Sequence, residues 1–292
     1  MVGTSSTPLR RVFFISLQPV ILIETFVPVS YMALVRSLVS ALVEDQVRSL
    51  VGFEEFDPAS LFANGEQGAW YDPSDLTTLY QDSAGTTPVT ADGDPVGLNE
   101  DKSPNSLDLA QATSTSRPTY DLTSGTSSEE FDGTDDFLRN TTTNFTVTEF
   151  SVFVACMTNA PTTLAGIFKA GDDALSTADK FILIRTGNTS GVSDGTYRTS
   201  SFTFGSGVPT VVEIHYSPTS IEFIQDGAIV STLSGTFGSI PITNDIIVGS
   251  SLTTGQRWNG KHYGTVFIGR NLGETERQST RQYLAQKAGV TL

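Results

Sequence analysis

The sequence predicts an all-β fold of the antiparallel sandwich type, and three observations carry that expectation. Short runs rich in Val, Ile, Thr, Phe and Tyr recur at regular intervals from residue 117 onward, a composition that fits a pleated, half-buried surface. Gly, Asn, Asp and Ser interrupt the runs where the chain must turn. No helical period lies between them, so eight or more strands have only one another to pack on. At 292 residues the chain is long enough for one large β domain plus a short appendage.

Residues 1–31 are an apolar leader of open origin. Arg10 and Arg11 precede VFFISLQPVILIETFVPVSY, the pattern of a signal sequence or a membrane anchor. Pro19 and Pro28 interrupt it, and Gln18 and Glu24 would sit in hydrocarbon, which disfavours a membrane-spanning helix. Met32 opens a cleaner segment, so sequence upstream of a later start is the third reading. Residues 32–52 are expected to form an amphipathic helix: Leu34, Val35, Leu38, Leu42, Val43, Val47 and Leu50 make one apolar stripe, and Gly52 is a plausible stop. A helix this short is marginal alone in water. It needs its own domain, copies of itself, a larger particle or a membrane surface to cover the stripe.

The main domain is expected over residues 53–292. Trp70-Tyr71 reads as a pair of core anchors between turn signals at Asn64-Gly65, Asp72-Pro73, Asp92-Gly93 and Asp94-Pro95. The strand candidates are 148–157, 166–170, 180–187, 195–205, 209–217, 220–233, 244–251 and 261–270. Val211, Glu213 and His215 alternate with Val212, Ile214 and Tyr216, which places the two sets on opposite faces. Asp226-Gly227 between apolar runs is a two-residue hairpin turn. A closing helix is expected over 273–288, with Glu274 and Glu276 in its first turn, Lys287 in its last, and Gly289 beyond. Tyr283, Leu284 and Ala288 form its buried stripe.

Charge narrows the chemistry. The formal net charge is −15, and the segment Phe53 to Asp136 holds eighteen acids against two bases, Lys102 and Arg117. That segment fits a well-solvated surface or a cation site, and the balance excludes a nucleic-acid backbone as partner. Asp132, Asp135 and Asp136 cluster around one turn and are the calcium candidates; no other cofactor is expected. Cys156 is the one cysteine, so no intrachain disulfide forms, and its apolar surroundings mark it as a small hydrophobe. His215 and His262 are the only histidines and lie in strand-like runs, outside any nucleophile-elbow context. Trp258 with Asn259, and Trp70 with Tyr71, fit either of two roles, core filler or carbohydrate platform. Trp258 and Asn259 are the candidate ligand residues.

Several motifs resemble laminin G-like jelly rolls of the concanavalin A-like superfamily. FDGTDDFL (131–138) is similar to a hairpin near the start of such domains, and FIQDGAIVSTL (223–233) to their Asp-Gly hairpin. NDIIVGSS followed by RWNGKHYGTVFIGRNLGETERQSTRQYLAQK (257–287) resembles their closing sequence. LFANGEQGAWYDPSDLTTLYQDSAGTTPVTADGDPVG is similar to a segment preceding such domains in tailed-phage and prophage structural proteins. Asp101-Lys102-Ser103-Pro104-Asn105-Ser106-Leu107 departs from the Gly-Asn-Gly-Asn-His turn common there. The resemblance implies a phage virion protein, tail- or capsid-associated. Its partners would be other virion proteins, copies of itself and host-surface glycans, and it would pass through the host cytoplasm before assembly. A soluble lectin-like module is the alternative. Glycoside hydrolases also use the sandwich but need two opposed carboxylates. Glu-x-Asp-x-x-Glu is absent, so no enzyme is expected.

Overall fold

The computed structural model describes residues 56–122, 125–171, 179–187, 189–252 and 255–292. The leader and the amphipathic helix expected over 1–52 lie outside the described residues; the sandwich occupies the compact unit Phe56–Leu292. Its first strands are short: β1 (Gly68–Tyr71), β2 (Leu79–Tyr80), β3 (Leu98–Asn99), β4 (Leu109–Ala110), β5 (Thr119–Asp121) and β6 (Ser128–Asp132). Longer ones follow: β7 (Leu138–Val147), β8 (Phe150–Thr158), β9 (Ala165–Gly171), β10 (Lys180–Thr186), β11 (Ser190–Asp194), β12 (Tyr197–Ser200) and β13 (Thr210–Tyr216). The last are β14 (Ser220–Gln225), β15 (Ala228–Ser234), β16 (Ile240–Val248), β17 (Ser250–Leu252), β18 (Gly255–Arg257) and β19 (Asn259–Ile268), before helix α1 (Glu274–Ala288).

The first sheet runs β15-β14-β13-β8-β19-β6-β5, with β1 also pairing β19; the second runs β12-β11-β10-β9-β16-β7-β4-β3-β2. Every paired ladder in them is antiparallel. This is the antiparallel β-sandwich that the strand pattern predicts, of the jelly-roll kind that the motif resemblance implies. Val152, Val154, Val212, Ile214, Phe223 and Phe267 of the first sheet meet Phe168, Ile182, Ile184, Ile242 and Val248 of the second in one core. Phe145, Phe150 and Phe168 each lie 6.0 Å from Phe267 between ring centroids, and Phe150 stacks on Tyr216 at 5.2 Å. Each fully buried ring of this kind is worth about 1.5–3 kcal/mol over an exposed one.

The first sheet is covered on its other face too. Trp70, Phe153, Ala155, Val211, Tyr263 and Val266 pack beneath Leu61, Phe62, Leu272, Leu284, Ala285 and Ala288. The covering comes from a 3-10 turn, Pro58–Phe62, and from α1. The alternation expected in β13 is present, but its polar side, Glu213 and His215, is roofed by the helix rather than by water. Helix α1 starts one residue after the expected position, with the Gly273 N–H donating to the Glu276 carboxylate. It ends at Gly289, which has φ 69°. Leu284 and Ala288 are buried as expected, and Tyr283 is half-buried.

Local structure departs from expectation in three places. Strand β7, LRNTTTNFTV, is rich in Thr and Asn and carries little apolar signal, yet it pairs along much of β16. Only Tyr197–Ser200 of the expected strand 195–205 is extended in the sheet. The FDGTDDFL segment is not a hairpin: β6 pairs β19 and β5, whereas β7 pairs β16 and β4, so the turn at 132–137 carries the chain from one sheet to the other. The Asp226-Gly227 turn does close a hairpin, with φ 48° and 79°, both in the left-handed region a two-residue loop requires.

Many carboxylates of the acidic segment hold loops together. Asp82 accepts the N–H groups of Ala84, Thr86 and Thr87, and Asp94 those of Thr90 and Ala91. Asp101 accepts from the backbone of Trp70, Ser103 and Leu107 and from the Ser103 hydroxyl. A chain with two-residue strands has many backbone donors outside any ladder, and these side chains supply the acceptors. Lys102 lies 4.4 Å over the Trp70 ring, which seals the 101–107 turn onto the aromatic anchor.

Candidate functional site

The inter-sheet turn after β6 builds an acidic cluster. Phe131, buried, anchors its start in the core. Asp132 accepts from the Thr134 N–H at 2.7 Å, and Asp136 accepts from the Asp132 N–H at 3.0 Å. Gly133 has φ 78°, and a Cβ there would lie 2.7 Å from the Asn259 Cβ, so only glycine lets the turn approach β19. The result brings carboxylate oxygens of Asp132, Asp135 and Asp136 within 4.8 Å of one another. Asp132 is exposed, Asp135 half-buried and Asp136 buried.

Groups distant in sequence complete this end of the sandwich. The Asn259 amide donates to the Asp132 carbonyl at 3.1 Å, and the Ser116 hydroxyl donates to Asp135 at 2.6 Å. The Arg257 guanidinium lies 4.2 Å over the Phe137 ring and adds positive charge near Asp135 and Asp136. Burial, with repulsion from Asp132 and Asp135, pushes the Asp136 carboxyl up to about 6 against the opposing Asp132 N–H and Arg257. The oxygen-rich, partly exposed donor set is the type that hard divalent cations take.

Asp132, Asp135, Asp136 and Asn259 thus come together. Trp258 does not join them. It is 0% exposed, its indole N–H donates to the Met157 carbonyl at 3.1 Å, and Phe204 packs edge-on at 5.9 Å. Trp258 is a core filler, because the residue after it, not Trp258 itself, faces the rim. Trp70 and Tyr71 are likewise buried. Ser116 and Arg257 were not legible as neighbours of the turn, since sheet pairing and loop packing, not local pattern, bring them there.

The raised native pKa of Asp136 sets a sign. An acid whose folded pKa lies above its unfolded value of 3.8 contributes stability below that value and loses it as pH rises through about 6. Asp136→Asn is therefore expected to raise stability at pH 7 in metal-free buffer by about 1–2 kcal/mol, allowing for solvent at the rim. The gap from the unmodified chain should close toward pH 4, as measured by paired thermal melts.

A second constellation lies under α1. His215 Nε2 sits 2.9 Å from Glu213 and Nδ1 2.9 Å from the Ser151 hydroxyl. Burial pushes His215 below the usual imidazole value against the pull of Glu213, which favours the neutral ring. Nε2–H then donates to the Glu213 carboxylate, and Nδ1 accepts from the Ser151 hydroxyl. The order hydroxyl, imidazole, carboxylate is that of a nucleophile with its base. Here it is sealed: Ser151 and Glu213 are 0% exposed and His215 1%, the Ser151 oxygen receives the Leu272 N–H at 3.0 Å, and Arg281 pairs with Glu213. It fastens the helix to the sheet. His262 is equally enclosed, between Glu129 and Thr265 at 2.8 Å each, with Asn99 of the second sheet donating to Glu129.

Fold and rim together define an all-β, antiparallel jelly-roll sandwich with an acidic inter-sheet turn. No family model matches the chain, and no curated protein matches it in sequence. Among solved structures it is similar to a GH54 α-L-arabinofuranosidase soaked with a cyclic sulfate inhibitor, at 12% identity and TM-score 0.58, over 80% of this chain and 66% of that one. It is also similar to an arabinofuranosidase complexed with arabinofuranosyl-α-1,2-xylobiose, at 14% identity and TM-score 0.55, over 80% and 65%. The chain spans just under two thirds of either enzyme, and likeness at this identity concerns the fold.

Proposed function

We propose that the chain is a non-enzymatic structural protein of a tailed-phage particle, whose sandwich faces outward and binds a host-surface carbohydrate through the acidic rim. The observation that carries the binding role is the convergence of Asp132, Asp135, Asp136 and Asn259 at one end of the fold. Carboxylates that hold a calcium ion, with an amide beside them, present charge and hydrogen bonds suited to sugar hydroxyls. The sealed state of Ser151, His215 and Glu213 supports a role without turnover. The particle context rests on the resemblance of residues 61–97, which here supply β1 and β2, to a segment that precedes such domains in phage structural proteins. Other virion proteins and further copies of the chain are the partners in this reading, and the host cytoplasm holds the protein before assembly. Nucleic acid does not fit a chain of net charge −15. No helix among the described residues is long and apolar enough to cross a membrane.

Mass spectrometry of purified particles from the source tests the context: the chain is expected among the particle proteins, and its absence removes the virion role. A glycan array probed with the full chain, with and without calcium, tests the rim. Calcium-dependent binding that Asp132→Asn abolishes is expected; binding without a particle would favour the soluble lectin-like module instead. Millimolar calcium is expected to raise the melting temperature, since an ion held at about a hundred times its Kd adds about 2.7 kcal/mol. A melt that calcium leaves unmoved retires the cation.

A further inference from the structure

The terminal strands of the two sheets are unequal, and β1, which lies beside β6 on β19, has its outer side covered by the loop at Asp101 and Lys102. β5 has three residues and ends in Asp121, which pairs with Lys261; β2 has two; β12 has four and includes Arg198. These are short or charged edges, the usual protection against pairing with another chain. β15 is the exception. Its seven residues, Ala-Ile-Val-Ser-Thr-Leu-Ser, carry no charge and no proline, and no described strand pairs with its outer side. Ile229 is 64% exposed and Val230 43%. A bulge lies beside them: Ile229 faces Ile224 and Ser231 faces Phe223, so Val230 is the extra residue. Among the described residues the bulge is the edge guard of β15, and it leaves two β-branched aliphatic side chains exposed.

We propose that β15 is the seam of a homodimer, in which two copies of this chain pair their β15 edges antiparallel across a two-fold axis and join their first sheets. Charge selects a second copy as the occupant. The chain's excess acid lies between Phe53 and Asp136, and β5 and β6, which belong to that segment, form the opposite edge of the same sheet. β15 is thus the edge of that sheet remote from the acidic strands, where two chains of net charge −15 can approach. Its nearest carboxylates are engaged internally: Glu222 with Arg277, and Asp226 with Thr210 and the Val211 N–H. A two-fold contact must be self-complementary. An uncharged antiparallel strand is so as it stands, because its free donors and acceptors match those of its own copy. The strand offers a foreign partner no charge pattern to read. One seven-residue seam is small beside the roughly 1,200–2,000 Å² of a stable interface, so the dimer is a weak one, favoured by the local concentration of an assembly. The seam goes beyond the particle role and does not depend on it.

Sedimentation velocity of the full chain across the micromolar range reads the outcome. A dimer that grows with concentration is expected, and Ile229→Lys with Val230→Lys should weaken it at least about tenfold. Both positions are exposed, so melting should stay within a few degrees; Thr232→Lys on the same strand serves if the double variant folds poorly. Leu76→Lys, an exposed position elsewhere, should leave association unchanged. A chain that stays monomeric overturns the proposal. So does a dimer whose strength none of the β15 variants alters, which assigns self-association to another surface while leaving the particle role to be judged on particle composition.

Discussion

Arg281→Met is expected to destabilise the sandwich by about 3–5 kcal/mol, the cost of leaving one partner of a buried ion pair alone. Glu213 is 0% exposed and Arg281 8%, and the guanidinium donates to both carboxylate oxygens. Without it Glu213 keeps only the His215 N–H, beneath a helix that excludes water. For a domain of this size the melting temperature should fall by on the order of 10 °C. Equilibrium denaturant unfolding checks the number. Glu213→Leu combined with Arg281→Met should recover much of the loss, because an apolar replacement of a buried pair is often close to neutral. A single-variant loss below about 1 kcal/mol would show that solvent reaches the pair and that α1 is not clamped by it.

Trp258→Ala is the second large effect, at about 3–5 kcal/mol, from lost burial plus the cavity left behind. The same variant separates two roles for this residue. A tryptophan that served as a sugar platform would cost binding and little stability when truncated. The buried indole, bonded to Met157 and packed by Phe204, predicts the reverse. Asn259→Ala, on the rim, should cost under about 1 kcal/mol and act on the acidic turn, where its amide holds the Asp132 carbonyl. Denaturant unfolding and the glycan array, run side by side on both variants, distinguish these outcomes. A stable Trp258→Ala chain would remove Trp258 from the core.

Most strands and the closing helix were legible because their signals are local. Alternation in β13, the Asp226-Gly227 turn and the acid-first, glycine-last order of α1 depend on neighbours within a few residues. Strand β7 was missed for the complementary reason: its Thr and Asn side chains carry no periodic apolar signal, and its pairing with β16 joins residues a hundred positions apart. The acidic turn was half legible. The clustering of Asp132, Asp135 and Asp136 is visible in the chain, but Ser116, Arg257 and Asn259 reach it only through sheet pairing and loop packing.

By itself the sequence determined the class of fold, the Asp226-Gly227 turn, the burial of Cys156 and, to within one residue, both ends of the last helix. These follow from backbone sterics, side-chain alternation and the free N–H and C=O groups at helix ends, all short-range. The tertiary structure alone decided which polar residues meet water. Glu213 and His215 share a strand face in the sequence, but only α1, laid over them and Ser151, buries them, and Trp258 and Asn259, adjacent in the chain, are divided between core and rim. Burial is a property of what packs on top, and the covering groups come from parts of the chain that no local pattern links.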